Sequence, residues 1–234
     1  MPITTTSLEN IAGLDVIVKD TNKPGPTTII LHGYGADNKD LAPLCDVLPE
    51  PSTGKWYFPN GPLEVPIGPH MMGRAWFPID MAALEAAMMA GGHRDFSDTA
   101  PPQFAEAQVK INALITEIGC KTADLFIGGF SQGAMVATGV ALGLDQNVKG
   151  LVALSGALVA KDQWQRQMAA HKDLNVFQSH GRQDPVLGFV YAQTLADLFK
   201  KNEFQSEFLP FNGGHEIPQS VMNAVTAFFK GLVN

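Results

Sequence analysis

The chain has 234 residues, 45% of them hydrophobic, enough for a substantial buried core. Its formal charge is −7 with no basic run, which argues against nucleic acid as a partner and against electrostatic attraction to an anionic membrane. The opening decapeptide has neither the basic nor the apolar stretch of a leader, no run could span a bilayer, and two cysteines (Cys45, Cys120) make no disulfide framework, so a reduced, cytoplasmic protein is expected.

Short apolar runs predict strands at 14–18, 27–31, 56–58, 124–127, 150–154, 175–179 and 204–209. Helical stretches at 40–47, 103–118, 131–144, 162–171, 189–200 and 218–232 lie between or after them. That alternation predicts an α/β fold, a mainly parallel central sheet with helices on both faces, in one domain spanning residues 1–234. Residues 59–102 break the rhythm: the stretch is rich in proline and methionine, and only 81–90 reads as a helix before Gly91 and Gly92 stop it. Two readings stand for this segment. It is an irregular substrate-binding insertion whose methionines adapt to an acyl chain, or a loop over a small core patch.

The segment 125–134 reads Leu-Phe-Ile-Gly-Gly-Phe-Ser-Gln-Gly-Ala, an apolar strand that stops at Gly-x-Ser-x-Gly and continues into an apolar helix. A turn this sharp needs backbone angles and a close strand–helix approach that side chains resist, which explains Gly129 and Gly133 around Ser131. A bare Gly-x-Ser-x-Gly is also an ordinary glycine turn, but its strand–turn–helix context makes Ser131 the candidate nucleophile. A serine hydroxyl needs a base, and the base needs an orienting group. Later in the chain, Asp184 follows the strand at 175–179 and His215 follows the strand at 204–209, each in a loop at a strand's carboxyl end. Singly, a loop Asp is a turn residue and a loop His a solvated one. Together they complete the order Ser, Asp, His that this chemistry uses on such a sheet. The N–H of Gln132 and that of Tyr34, in the loop Leu31-His32-Gly33-Tyr34-Gly35-Ala36, are the candidate oxyanion donors. His32 precedes the serine and reads as a hydrogen bonder that orients the loop. His70, His93 and His171 have no motif around them. No histidine pair has metal-ligand spacing, so neither a metal nor another cofactor is expected.

Taken together, Leu31-His32-Gly33-Tyr34-Gly35-Ala36-Asp37, Phe58-Pro59-Asn60-Gly61-Pro62, Arg74-Ala75-Trp76-Phe77, Gly129-Phe130-Ser131-Gln132-Gly133-Ala134, His180-Gly181-Arg182-Gln183-Asp184-Pro185-Val186 and Gly214-His215 resemble the carboxylesterase, lysophospholipase and acyl-protein thioesterase family of α/β-hydrolases. The chain departs from that pattern at Tyr34, where the family often has leucine, at Pro78, where Asp is common, and in a longer stretch at 81–102. The resemblance implies Ser131 as nucleophile, His215 as base, Asp184 as its orienting acid, and the amides of Tyr34 and Gln132 as oxyanion donors. It implies an acyl ester or thioester substrate, either a small molecule, a lysophospholipid or an acylated protein. A homodimer and transient contact with a membrane surface stay open. Trp76, Phe77, Met71, Met72 and Met88 are the expected lining of the acyl pocket. The rival readings are a non-catalytic lipid or small-molecule binder on the same fold, and a peptidase or lipase.

Overall fold

The computed structural model describes residues 4–48, 54–98 and 100–233. The first three residues of the decapeptide read above for a leader lie outside the described ones. Among the described residues, ten strands and seven α-helices are formed in the order β1 (Thr5–Ile11), β2 (Leu14–Asp20), β3 (Thr27–Leu31), α1 (Leu44–Val47), β4 (Lys55–Pro59), β5 (Leu63–Gly68), β6 (Met71–Ala75), α2 (Met81–Met89), α3 (Pro102–Glu117), β7 (Leu125–Phe130), α4 (Gln132–Gly143), β8 (Gly150–Leu154), α5 (Lys161–Met168), β9 (Asn175–Gly181), α6 (Phe189–Lys201), β10 (Gln205–Phe211) and α7 (Gln219–Val233). Eight strands make one sheet in the order β1-β2-β4-β3-β7-β8-β9-β10, and β5 pairs with β6 alone. From β4 to β10 the sheet is parallel, while β2 runs antiparallel to both β1 and β4.

Each central strand feeds two cores, because its side chains alternate between the faces. On one face Leu31, Ile127, Leu151 and Val176 meet Phe104 and Ile111 of α3 and Val136 and Val140 of α4. On the other, Ile30, Phe58, Phe126 and Phe177 meet Val221, Val225 and Phe229 of α7. The Phe126 and Phe229 rings pack edge to face with centroids 4.5 Å apart.

The sheet order reverses around β3, with β4 on one side and β7 on the other. Such a reversal opens a crevice at the carboxyl ends of the strands. Register keeps those ends level there: Leu31 pairs with Gly129, Phe130 with Leu154, and Phe211 with Gly181. The loops after β3, β7, β9 and β10 therefore open on one rim.

Three expectations are corrected. The helix expected at 40–47 is only α1, because Pro43 cannot continue a helix entering from residues 40–42. Strand β1 was not foreseen; all but its last residue are exposed, so it carries no apolar pattern. Within 59–102 the chain forms the β5–β6 hairpin as well as α2, and this hairpin is ordered structure where an irregular stretch was expected.

Candidate active site

Strand β7 runs to Phe130, and α4 starts at Gln132, leaving one residue for the turn. Ser131 occupies it at φ 56° and ψ −120°, a region that non-glycine residues adopt at a cost of about 1–3 kcal/mol. Its amide donates to the Leu154 carbonyl oxygen, and its carbonyl accepts the amides of Ala134 and Met135. Those bonds hold the strained residue from both sides. A Cβ on Gly133 would lie 2.1 Å from the Leu31 carbonyl oxygen, and one on Gly129 would lie 2.6 Å from the same oxygen. The strand and helix thus meet backbone to backbone, and no larger residue fits.

The loop after β3 is drawn close to the serine, since a Cβ on Gly33 would sit 3.3 Å from that of Ser131. His32 is buried beneath it. Its Nε2 accepts the Gly61 N–H at 2.9 Å, so its proton sits on Nδ1, which donates to the Gly33 carbonyl oxygen at 2.7 Å. Burial lowers the pKa of this ring, which favours the neutral form that these bonds need. Trp76 Nε1 donates to the His32 carbonyl oxygen at 2.9 Å. The Gln132 side chain closes the frame: its Oε1 accepts the Trp76 N–H at 2.8 Å and its Nε2 donates to the Phe77 carbonyl oxygen at 2.7 Å. Two backbone hydrogen bonds between the loop and β6 complete it: the Gly35 N–H donates to the Arg74 carbonyl oxygen and the Arg74 N–H to the Ala36 carbonyl oxygen, both at 2.8 Å. The Gln132 amide is in the first turn of α4, where helix N–H groups have no partner within the helix. Tyr34 lines the same cavity as Ser131.

Asp184 and His215 come together as their order in the chain suggested. His215 Nδ1 lies 2.7 Å from Asp184 Oδ2, and its ring packs on Phe130 with centroids 4.7 Å apart. Oδ1 of Asp184 accepts the amides of Val186 and Leu187 at 2.8 and 2.9 Å. Burial pushes this carboxyl up, but hydrogen bonds from His180, His215 and the Leu187 amide overcome it and hold the group well below the usual carboxylate range. Two further histidines converge here. His180 Nε2 is 2.8 Å from the Leu187 carbonyl oxygen and 3.2 Å from Asp184 Oδ2. His93 Nε2 donates to the Asp184 carbonyl oxygen at 2.9 Å. Neither has a role legible in the sequence: His180 appears there only as the first residue of the segment that carries Asp184, and His93 has no motif around it. Among the described residues no group of three or more His, Cys, Asp or Glu is placed to hold a metal ion.

Ser131 and His215 face a cavity of about 240 Å³ whose walls are otherwise apolar: Ile79, Met81, Leu84, Phe96, Met135, Val186 and Leu187, with Tyr34 and Gln132 at the serine end. The expected lining residues lie elsewhere. Trp76 and Phe77 are 0% and 1% exposed, and they pack into the core behind the loop that follows β3. Met71 and Met72, on β6, are 58% and 59% exposed and are not among the residues that line the cavity, nor is Met88 on α2. The reason is local: in a hairpin and a one-turn-buried helix, hydrophobicity does not tell which side is inward. Two true wall positions were readable. Met135 is one helical turn after Ser131, and Val186 directly follows the acid loop's proline.

The sheet order, the helices on both faces and the strained serine at the switch point put the chain in the class of α/β-hydrolases. More narrowly, it belongs to the phospholipase/carboxylesterase family, whose pattern matches residues 12–233. It is 28% identical over 220 residues to an acyl-protein thioesterase 1 of Candida albicans, covering 88% of this chain and 91% of that one. It is 30% identical over 203 residues to an acyl-protein thioesterase 1 of Debaryomyces hansenii, covering 82% and 84%. In fold it is similar to the crystal structure of esterase PE8 (TM-score 0.74, 24% identity, 98% and 99% coverage). It is likewise similar to Zea mays acyl-protein thioesterase 2 (TM-score 0.69, 22% identity, 94% and 99% coverage). The chain is a hydrolase acting on ester or thioester bonds. No helix among the described residues is long and apolar enough to cross a membrane.

Proposed function

We propose that the chain cleaves short- to medium-chain acyl esters or thioesters through Ser131, His215 and Asp184 with a covalent acyl-enzyme. The observation that carries this reading is the 2.7 Å contact of His215 Nδ1 with Asp184 Oδ2, on a ring that shares an apolar cavity with Ser131. A carboxylate on Nδ1–H leaves the Nε2 lone pair to act as base. His215 takes the Ser131 proton as Oγ attacks the acyl carbonyl. The amides of Gln132 and Tyr34 hold the oxyanion, a contribution on the order of 10²–10³ in rate for one donor. His215 then gives the proton to the departing alcohol or thiol, and water repeats the two steps to release the acid. The cavity takes the acyl chain. The thioesterase names of the fungal relatives support thioesters, and with them acylated proteins, as substrates beside simple esters.

The test is a matched series of acyl esters and acyl thioesters with a fluorophosphonate label. Hydrolysis of either series with stoichiometric labelling of Ser131 is expected, and both should disappear in Ser131→Ala. Turnover falls on the order of 10⁶ in comparable triads that lose the nucleophile. Tight acyl-ligand binding with no turnover and no labelling would make the protein a binder instead.

A further inference from the structure

We propose that His180 is a positioning residue that orients the Asp184 carboxylate, moderates its pull on His215, and ties that acid to the wall of the acyl cavity. This rests on the reading of Asp184 and His215 given above.

His180 is the penultimate residue of β9, and its side chain is fully buried. Its Nε2 faces two acceptors, the Leu187 carbonyl oxygen at 2.8 Å and Asp184 Oδ2 at 3.2 Å. Acceptors on both sides place the proton of the neutral ring on Nε2. That N–H donates to the carbonyl, and it stands 3.2 Å from the oxygen that takes the His215 Nδ1–H, close enough to help hold the Asp184 carboxyl below its usual range. On this arrangement the carboxylate has donors at both oxygens, the Val186 and Leu187 amides on Oδ1 and the two imidazoles on Oδ2. Leu187 is gripped at both ends, its amide by Asp184 and its carbonyl by His180, and its side chain lines the cavity.

The arrangement has a cost. With Nε2 protonated, Nδ1 is buried and has no hydrogen-bond partner among the described residues. A buried polar atom left unpaired is destabilising, so a residue that only filled this space would do better as leucine or phenylalanine. The Nε2 contacts are what an apolar side chain could not supply.

The consequence for the base follows from sharing. A carboxylate oxygen with two donors stabilises each less than an oxygen with one. Without His180, Oδ2 has His215 alone, the His215 imidazolium is held more firmly, and the base is lost to protonation at a higher pH. The other groups nearby stay in place. The Phe189 ring at the start of α6 meets His180 edge-on at 6.2 Å, and the Arg182 guanidinium lies 5.1 Å over that same ring. His93 holds the Asp184 carbonyl from the segment after α2. Arg182, His93 and Asp184 itself are common to every variant, so a difference between variants belongs to His180.

The test compares His180→Leu, which removes the donor, with His180→Gln, which places an N–H near the position of Nε2. The readout is the pH dependence of kcat/KM on a soluble acyl ester. In His180→Leu the acidic limb is expected to move up by about one pH unit, about tenfold in relative rate well below the limb. His180→Gln should undo most of that shift. A folded His180→Leu whose acidic limb coincides with that of the unaltered protein overturns the proposal. A second measurement needs no variant: ¹⁵N-histidine NMR of the unaltered chain should show His180 as the Nε2–H tautomer, with a signal that follows the titration of His215. An Nδ1–H tautomer overturns the proposal even if both variants fail to fold. An active chain with the wrong tautomer refutes the role of His180 alone, whereas a chain that neither turns over esters nor labels at Ser131 refutes the site reading beneath it.

Discussion

Asp184 has its carboxyl held well below the usual range against the pull of burial, so its ionised form is bound more favourably in the folded chain than in the unfolded one. That stabilisation is full above the unfolded value of about 3.9 and is lost as pH falls through the folded one. Asp184→Asn should therefore flatten the fall in urea stability below about pH 4, while lowering kcat on the order of 10⁴ because the amide no longer selects the His215 tautomer. An acid limb as steep as in the unaltered protein would move the effect to other carboxylates. His32 has the opposite chemistry and loses stability in the same direction. Its folded pKa is lowered chiefly by burial, so the unfolded chain takes up the proton first, and stability declines as pH drops below about 6.5. His32→Phe should lose about 1–3 kcal/mol, the cost of leaving the Gly61 amide unpaired, and should remove that decline between pH 6.5 and the folded value. Urea titrations at pH 7.5 and 5.5 measure both effects. The loop-orienting role of His32 was legible because the ring stands just before two glycines. Those of His180 and His93 were not, because their partners are a carboxylate and a carbonyl fixed only by the fold.

At the scale of elements, the sharp turn from β7 to α4 depends on contact between backbones. An alanine at Gly133 would put a methyl within 2.1 Å of the Leu31 carbonyl oxygen and 2.5 Å of that of His32. Neither backbone can yield without parting α4 from β3, so Gly133→Ala should cost more than about 4 kcal/mol. The soluble yield and the urea midpoint check this, and a midpoint near that of the unaltered protein would show that the turn relaxes. The sequence displayed this turn clearly because strict packing demands glycine there. It displayed β7 and β8 equally well, since strands covered on both faces are apolar throughout. The β5–β6 hairpin was hidden for the converse reason: Pro66, Gly68 and Gly73 interrupt it, and most of its residues face solvent. Gly73 is nonetheless required, because a Cβ there would lie 1.9 Å from the Gly35 carbonyl oxygen, where the hairpin braces the loop after β3.

Across the molecule, the cavity exists only because distant parts of the chain close on one another. Leu84 and Met81 come from α2, Phe96 from the segment after it, Met135 from α4, and Val186 and Leu187 from the acid loop. The sequence suggested an apolar pocket near Ser131, but not which apolar residues of 59–102 turn inward, since that is decided by how α2 lies over the rim. The volume sets a limit that composition could not. Each methylene buried contributes about 0.8 kcal/mol, about fourfold in kcat/KM. Within about 240 Å³ that gain can continue only until the cavity is full, after which longer chains must run out past α2 and the series should level off or fall. Leu84→Trp would fill part of the space from the α2 side, so the optimum should move to shorter acyl groups while the rise per methylene below it is kept. An acyl-ester series run on both proteins decides the matter. If the two optima coincide, the acyl chain does not lie along α2, and a different wall of the cavity sets its length.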